Sequence, residues 1–186
     1  MSYRPITDMW FLARAKLKGG RKYYGAYLGG FPERARVLIG ASLQEPVLHV
    51  CGGMAKHYPY QRGFSKMDET LDLAIECEPD HLLDASVCLP HSPRWDWHGQ
   101  KWGGILIDPP YSEKDAEAYS PGRENYPSPN KLVELAIDVL PVGRKVGIIH
   151  YVLPRCPKNA KFVAAVGVLC GFNNRIRCFS VFEKEA

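Results

Sequence analysis

Residues 103–111 read Gly-Gly-Ile-Leu-Ile-Asp-Pro-Pro-Tyr, an apolar run that stops at a carboxylate, two prolines and an aromatic ring. A short apolar run bounded by turn residues is the pattern of a strand buried on both faces. Consecutive prolines fix φ and remove two ladder donors. The strand therefore ends at Ile107, and the tetrad Asp108-Pro109-Pro110-Tyr111 projects beyond it. A named four-residue string arises by chance in a chain of this length with a probability on the order of 10^-3. One reading of the tetrad is a proline-stiffened turn. The other is chemical: the Asp108 carboxylate and the Pro109 carbonyl, held in a fixed extended shape, can both accept from a planar exocyclic amino group, with Tyr111 able to stack on the attached ring.

The same texture recurs upstream and downstream. VLHV at 47–50 precedes Cys51-Gly52-Gly53, LDLAI at 71–75 precedes Glu76, and VGIIHYVL spans 146–153. Between the tetrad and the last of these, KLVELAIDVL at 131–140 places Leu132, Leu135, Ala136, Val139 and Leu140 on one helical face. Strands alternating with helical connections predict an α/β fold with a doubly wound, mostly parallel sheet. FVAAVGVLCGF at 162–172 and IRCFSVF at 176–182, around Asn173-Asn174, predict a C-terminal antiparallel hairpin. Ahead of the core, residues 1–45 are expected to form a helical extension. One helix is predicted from Asp8, as its cap, to Lys18, and a second from Pro32-Glu33 to about Leu43, separated by the glycine-rich stretch that ends in GAYLGG at 25–30. No internal repeat or linker interrupts the 186 residues, which are read as one domain.

Composition narrows the function classes. Apolar residues make up 46% and charged residues 24%, which excludes a disordered or low-complexity chain. No apolar run reaches the length of a membrane span and the N-terminal residues lack a signal-peptide core, so no membrane partner and a cytoplasmic location are expected. The six cysteines (51, 77, 88, 156, 170, 178) form no CxxC pair, and no disulfide framework is expected. The set Cys77, His81, Cys88 and His91 matches neither a zinc-finger nor a deaminase spacing, so no metal is assigned. Net charge is +5 over residues 1–45, −7 over 46–139 and +6 over 140–186. Basic ends around an acidic middle fit a polyanion whose phosphates are gripped by Arg14, Lys16, Lys18, Arg21 and Lys22 on one side and Arg155, Lys158, Lys161, Arg175 and Arg177 on the other, and equally a surface whose charges happen to segregate.

In an open parallel sheet, ligands bind beyond the carboxyl ends of the strands. Gly52 and Gly53 after one strand, Glu76 after the next, and Asp84 eight residues later form, in that order, the outline of a nucleoside pocket. The 112–130 segment, with Tyr119, Arg123 and Tyr126, is long enough for a substrate lid. Trp95, Trp97 and Trp102 are read as packing residues ahead of base-stacking ones.

The tetrad at 108–111, the turn at Cys51-Gly52-Gly53 and the acids Glu76 and Asp84 together resemble the class I S-adenosylmethionine-dependent methyltransferases that methylate amino groups of bases. The resemblance covers roughly residues 46–182. It implies S-adenosyl-L-methionine as cofactor, with Cys51, Gly52 and Gly53 bordering its methionine moiety, Glu76 its ribose and Asp84 its adenine. The segment from Tyr24-Gly25 to Phe31 is a further candidate for cofactor contacts. The resemblance implies Asp108, Pro109, Pro110 and Tyr111 as the catalytic element and nucleic acid as partner, with adenine N6 of DNA first. Its alternatives are guanine N2 or adenine N6 of structured RNA, and a non-catalytic nucleic-acid-binding subunit of the same fold. A homodimer or a recognition partner would supply the sequence selectivity that a chain without a recognition domain lacks.

Overall fold

The computed structural model describes residues 4–13, 26–58, 62–87, 89, 102–119, 126–171 and 173–186. Its first element corrects an expectation. Residues Ile6–Leu12 form strand β1, not a helix, and lie parallel to β7 (Ala160–Cys170), from Ile6 opposite Ala164 to Leu12 opposite Cys170. Trp10 and Leu12 point into the core while Met9 and Phe11 stay exposed, the period of two of a strand. Asp8, read as a helix cap, instead accepts from the Met9 amide at 2.7 Å and from Trp10 Nε1 at 2.9 Å. The N-terminal segment is thus part of the main sheet, Ala13 bridges Gly29, and the predicted helix from 14 to 18 lies outside the described residues.

Helix α1 (Phe31–Ile39) stops four residues before the expected end. Gly40 sits at φ 70° and its amide closes on the Val37 carbonyl, while the Ala41 amide reaches the Arg36 carbonyl, a glycine-terminated helix end. Next come β2 (Val47–Val50), β3 (Glu69–Asp72), β4 (His81–Leu82) and β5 (Gly104–Ile107). Helices α2 (Glu113–Tyr119) and α3 (Pro129–Val139) lead to β6 (Lys145–His150), then β7, then β8 (Asn173–Lys184). The expected strand at 71–75 ends early, at Asp72, and residues Ile75–Cys77 make a single 3-10 turn.

The eight strands form one sheet in the order β1-β7-β8-β6-β5-β2-β3-β4. Every neighbouring pair is parallel except those of β8, which runs against both β6 and β7 as the predicted hairpin requires. Alternate side chains feed two cores. Val47, Leu106, Ile149, Val166 and Phe179 pack with Phe31, Ala35 and Ile39 of α1 on one face. Leu48, Val50, Ile105, Ile107 and Ile148 pack with Leu132, Val133, Ala136 and Ile137 of α3 on the other. Helices on both faces of a largely parallel sheet make the fold α/β and doubly wound. Trp102 is 1% exposed within the second core, a packing role as expected, whereas Trp95 and Trp97 lie outside the described residues. Among the described residues, no helix is long and apolar enough to cross a membrane.

Strand order decides where a ligand can sit. The chain leaves β2 outward through β3 and β4, then returns to place β5 on the other side of β2. Connections on the two sides diverge there, which opens a crevice at the carboxyl ends of β2 and β5. Those ends are Val50 and Ile107, paired directly in register.

Candidate active site

Five parallel strands and the start of β8 bring a row of functional groups to one edge of the sheet. In sheet order these are Asp84 beyond β4, Asp72 at the end of β3, Cys51-Gly52-Gly53 after β2, the Asp108 tetrad after β5, His150 at the end of β6, and Arg177 near the start of β8. The glycine turn and the tetrad flank the crevice. They are tied together by the Asp108 amide, which donates to the Val50 carbonyl at 3.1 Å.

The turn after β2 is tight and strained. Cys51 has φ 52° and Gly53 φ 50°, and a non-glycine residue in that region is uncommon outside functional sites. A Cβ on Gly52 would lie 2.9 Å from the His49 carbonyl oxygen. The Gly53 amide donates to Asp72 Oδ2 at 2.8 Å, and the other oxygen of Asp72 accepts from the Ala74 amide at 3.0 Å. Asp72 therefore joins the ends of β2 and β3. Burial raises the pKa of the Cys51 thiol well above its ordinary value, and the charges of Asp72, Asp108 and Asp84 push it further the same way. Three carboxyl groups, at the end of β3 and beyond β4 and β5, thus bear on the one thiol.

A second, fully internal network holds β2 from below. Arg36 donates through Nε to the Gly63 carbonyl at 2.8 Å, through an NH group to the Ser42 carbonyl at 2.8 Å, and forms a buried ion pair with Asp68. Asp68 also accepts from the Val47 amide at 3.0 Å and the Ser65 amide at 2.7 Å. His49 Nε2 faces Asp68 at 3.3 Å and Nδ1 faces the Tyr27 hydroxyl at 3.1 Å. Burial lowers the pKa of His49, so the ring is neutral, donates from Nε2 and accepts at Nδ1. Charge is balanced within the network, and β2 is fixed just before its glycine turn. Tyr27, within the segment expected to meet the cofactor, is buried here beneath the strand.

On the tetrad side, the Tyr111 hydroxyl donates to Asp108 Oδ1 at 2.6 Å. Burial raises the Asp108 carboxyl from 3.8 to about 6, opposed by that hydrogen bond and by the charge of Arg177. The Arg177 guanidinium lies over the Tyr111 ring, 5.1 Å from its centre. His150 and Tyr151 pack on Tyr111 at 5.6 and 4.8 Å between ring centres. His150 accepts at Nδ1 from the Val152 amide at 3.0 Å, so its proton sits on Nε2, which donates to the Tyr126 hydroxyl at 2.8 Å. Tyr126 is thus the lid candidate whose place is described; Arg123 and the side chain of Tyr119 lie outside the described residues.

Of the expected site residues, Cys51, Gly52, Gly53, Asp84, Asp108, Pro109, Pro110 and Tyr111 all lie along this edge. Asp84 turns one oxygen onto the Ser86 amide and hydroxyl, at 2.8 and 2.6 Å. Glu76 is exposed on the 3-10 turn, and the carboxylate at the strand end is Asp72. Asp72 was not among the residues singled out from the sequence, and Arg177, expected to meet phosphates, instead lies on the Tyr111 ring. No described cluster of three or more His, Cys, Asp or Glu side chains could hold a metal; His81 pairs with Glu69 at 2.7 Å, and Cys88 and His91 lie outside the described residues.

Comparison with known proteins adds the fold. No family model and no curated sequence matches the chain. Among solved structures, TrmN from Thermus thermophilus superposes with a TM-score of 0.57 at 17% identity, over 85% of this chain and 49% of that one. HI0767 from Haemophilus influenzae, a methylase candidate, superposes with a TM-score of 0.52 at 14% identity, over 94% of this chain and 99% of that one. The chain therefore spans about half the length of TrmN and nearly the whole of HI0767. At these identities the likeness is one of fold, and it is the doubly wound fold built above.

Proposed function

We propose that the protein transfers a methyl group from S-adenosyl-L-methionine to an exocyclic amino group of a nucleic-acid base, with adenine N6 in DNA as the first substrate to test. The observation that carries this reading is the register of Val50 against Ile107. It sets the glycine turn and the Asp108-Pro109-Pro110-Tyr111 tetrad side by side across the one crevice that the strand order opens.

The residues fit such a cofactor. Its sulfonium supplies an electrophilic methyl group, and its positive charge matches the field of Asp72, Asp84 and Asp108. Gly52, whose Cβ would strike the His49 carbonyl, and Gly53, at φ 50°, make the tight turn that brings bare backbone to the crevice. Asp72 and Glu76 are the acids available to ribose hydroxyls, and Asp84 to an adenine amino group.

On the acceptor side, Asp108 and Pro109 accept hydrogen bonds from the two amino hydrogens of the target. That localises the nitrogen lone pair and orients it, and no strong base is needed because the proton can leave after transfer. A base reaches such a site only by leaving its stack. Tyr111, backed by His150, Tyr151 and Arg177, offers a fixed ring on which the extruded base can stack.

The test is transfer of labelled methyl from S-adenosylmethionine to duplex DNA, single-stranded DNA and structured RNA, with nucleoside analysis of the product. N6-methyladenine from DNA is the expected result. Product in RNA alone would move the substrate to RNA, and absence of both transfer and cofactor affinity would leave a nucleic-acid-binding subunit.

A further inference from the structure

β8 runs against β6, with Cys178 opposite His150, so the residue preceding Cys178 passes beyond the end of β6 and over the tetrad. That residue is Arg177. Its guanidinium carbon is 5.1 Å from the centre of the Tyr111 ring, and the Tyr111 hydroxyl is 2.6 Å from Asp108 Oδ1. The three side chains form a chain from cation to ring to carboxylate, contributed by two segments far apart in sequence.

Arg177 Nε is buried without a hydrogen-bond partner, and Arg177 makes no ion pair among the described residues. A guanidinium used for packing alone would be expected to turn its donors to carbonyls or water. Here the cation lies over the ring face, and its charge acts on Asp108. Among the described residues, Arg177 is the cation whose charge bears on Asp108; Arg175, also on β8, hydrogen-bonds Tyr151. Burial raises the Cys51 thiol after β2 and lowers His150 at the end of β6, so neither adds a positive charge, and Asp72 at the end of β3 and Asp84 beyond β4 are acids.

We propose that Arg177 is a positioning residue for the methyl acceptor: delivered by the C-terminal hairpin, it fixes the Tyr111 ring and supplies the counter-charge that keeps Asp108 a carboxylate able to accept from the target amino group. This rests on the methyl-transfer reading above. It also assigns the hairpin a part in the chemistry, since the residue that tunes the tetrad comes from β8 and not from the parallel strands.

Two measurements on Arg177→Gln and Arg177→Lys test it and separate it from the broader reading. The first needs no substrate: carboxyl carbons of labelled aspartates are titrated by NMR, with Asp108→Asn to identify the signal. The Asp108 midpoint, about 6 in the parent protein, is expected to rise by about one unit in Arg177→Gln and to stay near its original value in Arg177→Lys, which keeps the charge. The second is single-turnover transfer at saturating cofactor from about pH 5.5 to 9. Arg177→Gln should lose about tenfold on the acid limb and recover most of it at high pH. Arg177→Lys should lose rate evenly, because an ammonium cannot lie flat on the ring. If Arg177→Gln fails to fold, Arg177→Met, which keeps an unbranched stem, takes its place. An unmoved midpoint, or an even loss across pH in the Gln or Met variant, overturns the proposal. A moved midpoint in a protein that transfers no methyl overturns the broader reading and leaves the hold of Arg177 on Asp108 standing.

Discussion

The hydroxyl of Tyr111 occupies an oxygen of Asp108, 2.6 Å away, in the protein without substrate. The carboxylate proposed to accept from the target is therefore already engaged by the ring proposed to receive the base, and an incoming amino group would share or displace that bond. Tyr111→Phe separates the two roles of the tyrosine. The ring stays, but the bond that lowers the Asp108 pKa is lost, so the midpoint moves above about 6. Transfer by Tyr111→Phe should fall near pH 6 and approach the parent rate by about pH 8–9, where Asp108 is ionised in both. Tyr111→Ala should lose rate at every pH, since it removes stacking worth roughly 1–3 kcal/mol. Rate–pH profiles of the two variants check this, and a uniform loss in Tyr111→Phe would mean that the hydroxyl serves only to hold the ring.

Asp108 also costs the fold. Its pKa is raised from 3.8 to about 6 by burial. The sign follows directly: a carboxyl with a raised native pKa favours the folded chain at low pH, and that advantage is lost as pH rises through about 6, when the buried group must carry charge. Asp108→Asn keeps an oxygen for the Tyr111 hydroxyl and carries no charge. Transfer should be abolished while the folded state gains about 1–3 kcal/mol above pH 7, a gain that disappears below about pH 4. Denaturant unfolding at several pH values measures it. Equal stability of the two proteins at pH 8 would show that solvent reaches the carboxylate.

What the sequence conveyed and what it withheld follow from how local each signal is. The tetrad and the glycine turn were legible because proline and glycine restrict the backbone wherever they occur, and both sit at strand ends as expected. β1 was not legible: Asp8 and the apolar residues after it satisfy a helix start, and only the edge of the eleven-residue β7 makes a strand the better solution. The end of β3 was missed because Leu71, Leu73 and Ile75 alternate as a strand should, although Ile75 is 66% exposed. Placing the strand end at Ile75 drew the ribose role to Glu76 and away from Asp72. The contact of Arg177 with the tetrad carries no local signal, because it depends on the antiparallel register that sets Cys178 against His150. The buried set Arg36, Asp68 and His49 is hidden for the same reason, its members being spread over three elements.

Asp72 and Glu76 give opposing expectations that one experiment separates. Asp72 stands at the end of β3 and accepts from the Gly53 amide at 2.8 Å, whereas Glu76 is exposed. Asp72→Ala removes a carboxylate from the edge of the crevice and frees the glycine turn, and should weaken S-adenosylmethionine binding by about 1–3 kcal/mol through loss of charge-assisted hydrogen bonds. Glu76→Ala should weaken it less. Calorimetric titration of both variants is the measurement, and the reverse order would return the ribose role to Glu76.

The proposed grip on a polyanion falls on particular residues. Of the C-terminal cations expected to meet phosphates, Lys161 is paired with Glu183 at 3.8 Å and Arg177 lies on Tyr111. Arg155, Lys158 and Arg175 are exposed, Arg155 and Lys158 on the segment that follows β6 and Arg175 at the start of β8, where it hydrogen-bonds Tyr151. Arg14, Lys16, Lys18, Arg21 and Lys22 lie outside the described residues. Binding through such contacts is driven by counterion release, so affinity for duplex and single-stranded oligonucleotides should fall steeply with salt. Arg155→Ala, Lys158→Ala and Arg175→Ala should each reduce the slope of log affinity against log salt by about one, with little change in base preference. Lys161→Ala, whose ammonium is already partnered, should leave the slope unchanged. Titrations at several salt concentrations decide the matter; affinity indifferent to salt, or a slope that responds to Lys161 and not to the other three, would place the polyanion on another face of the molecule.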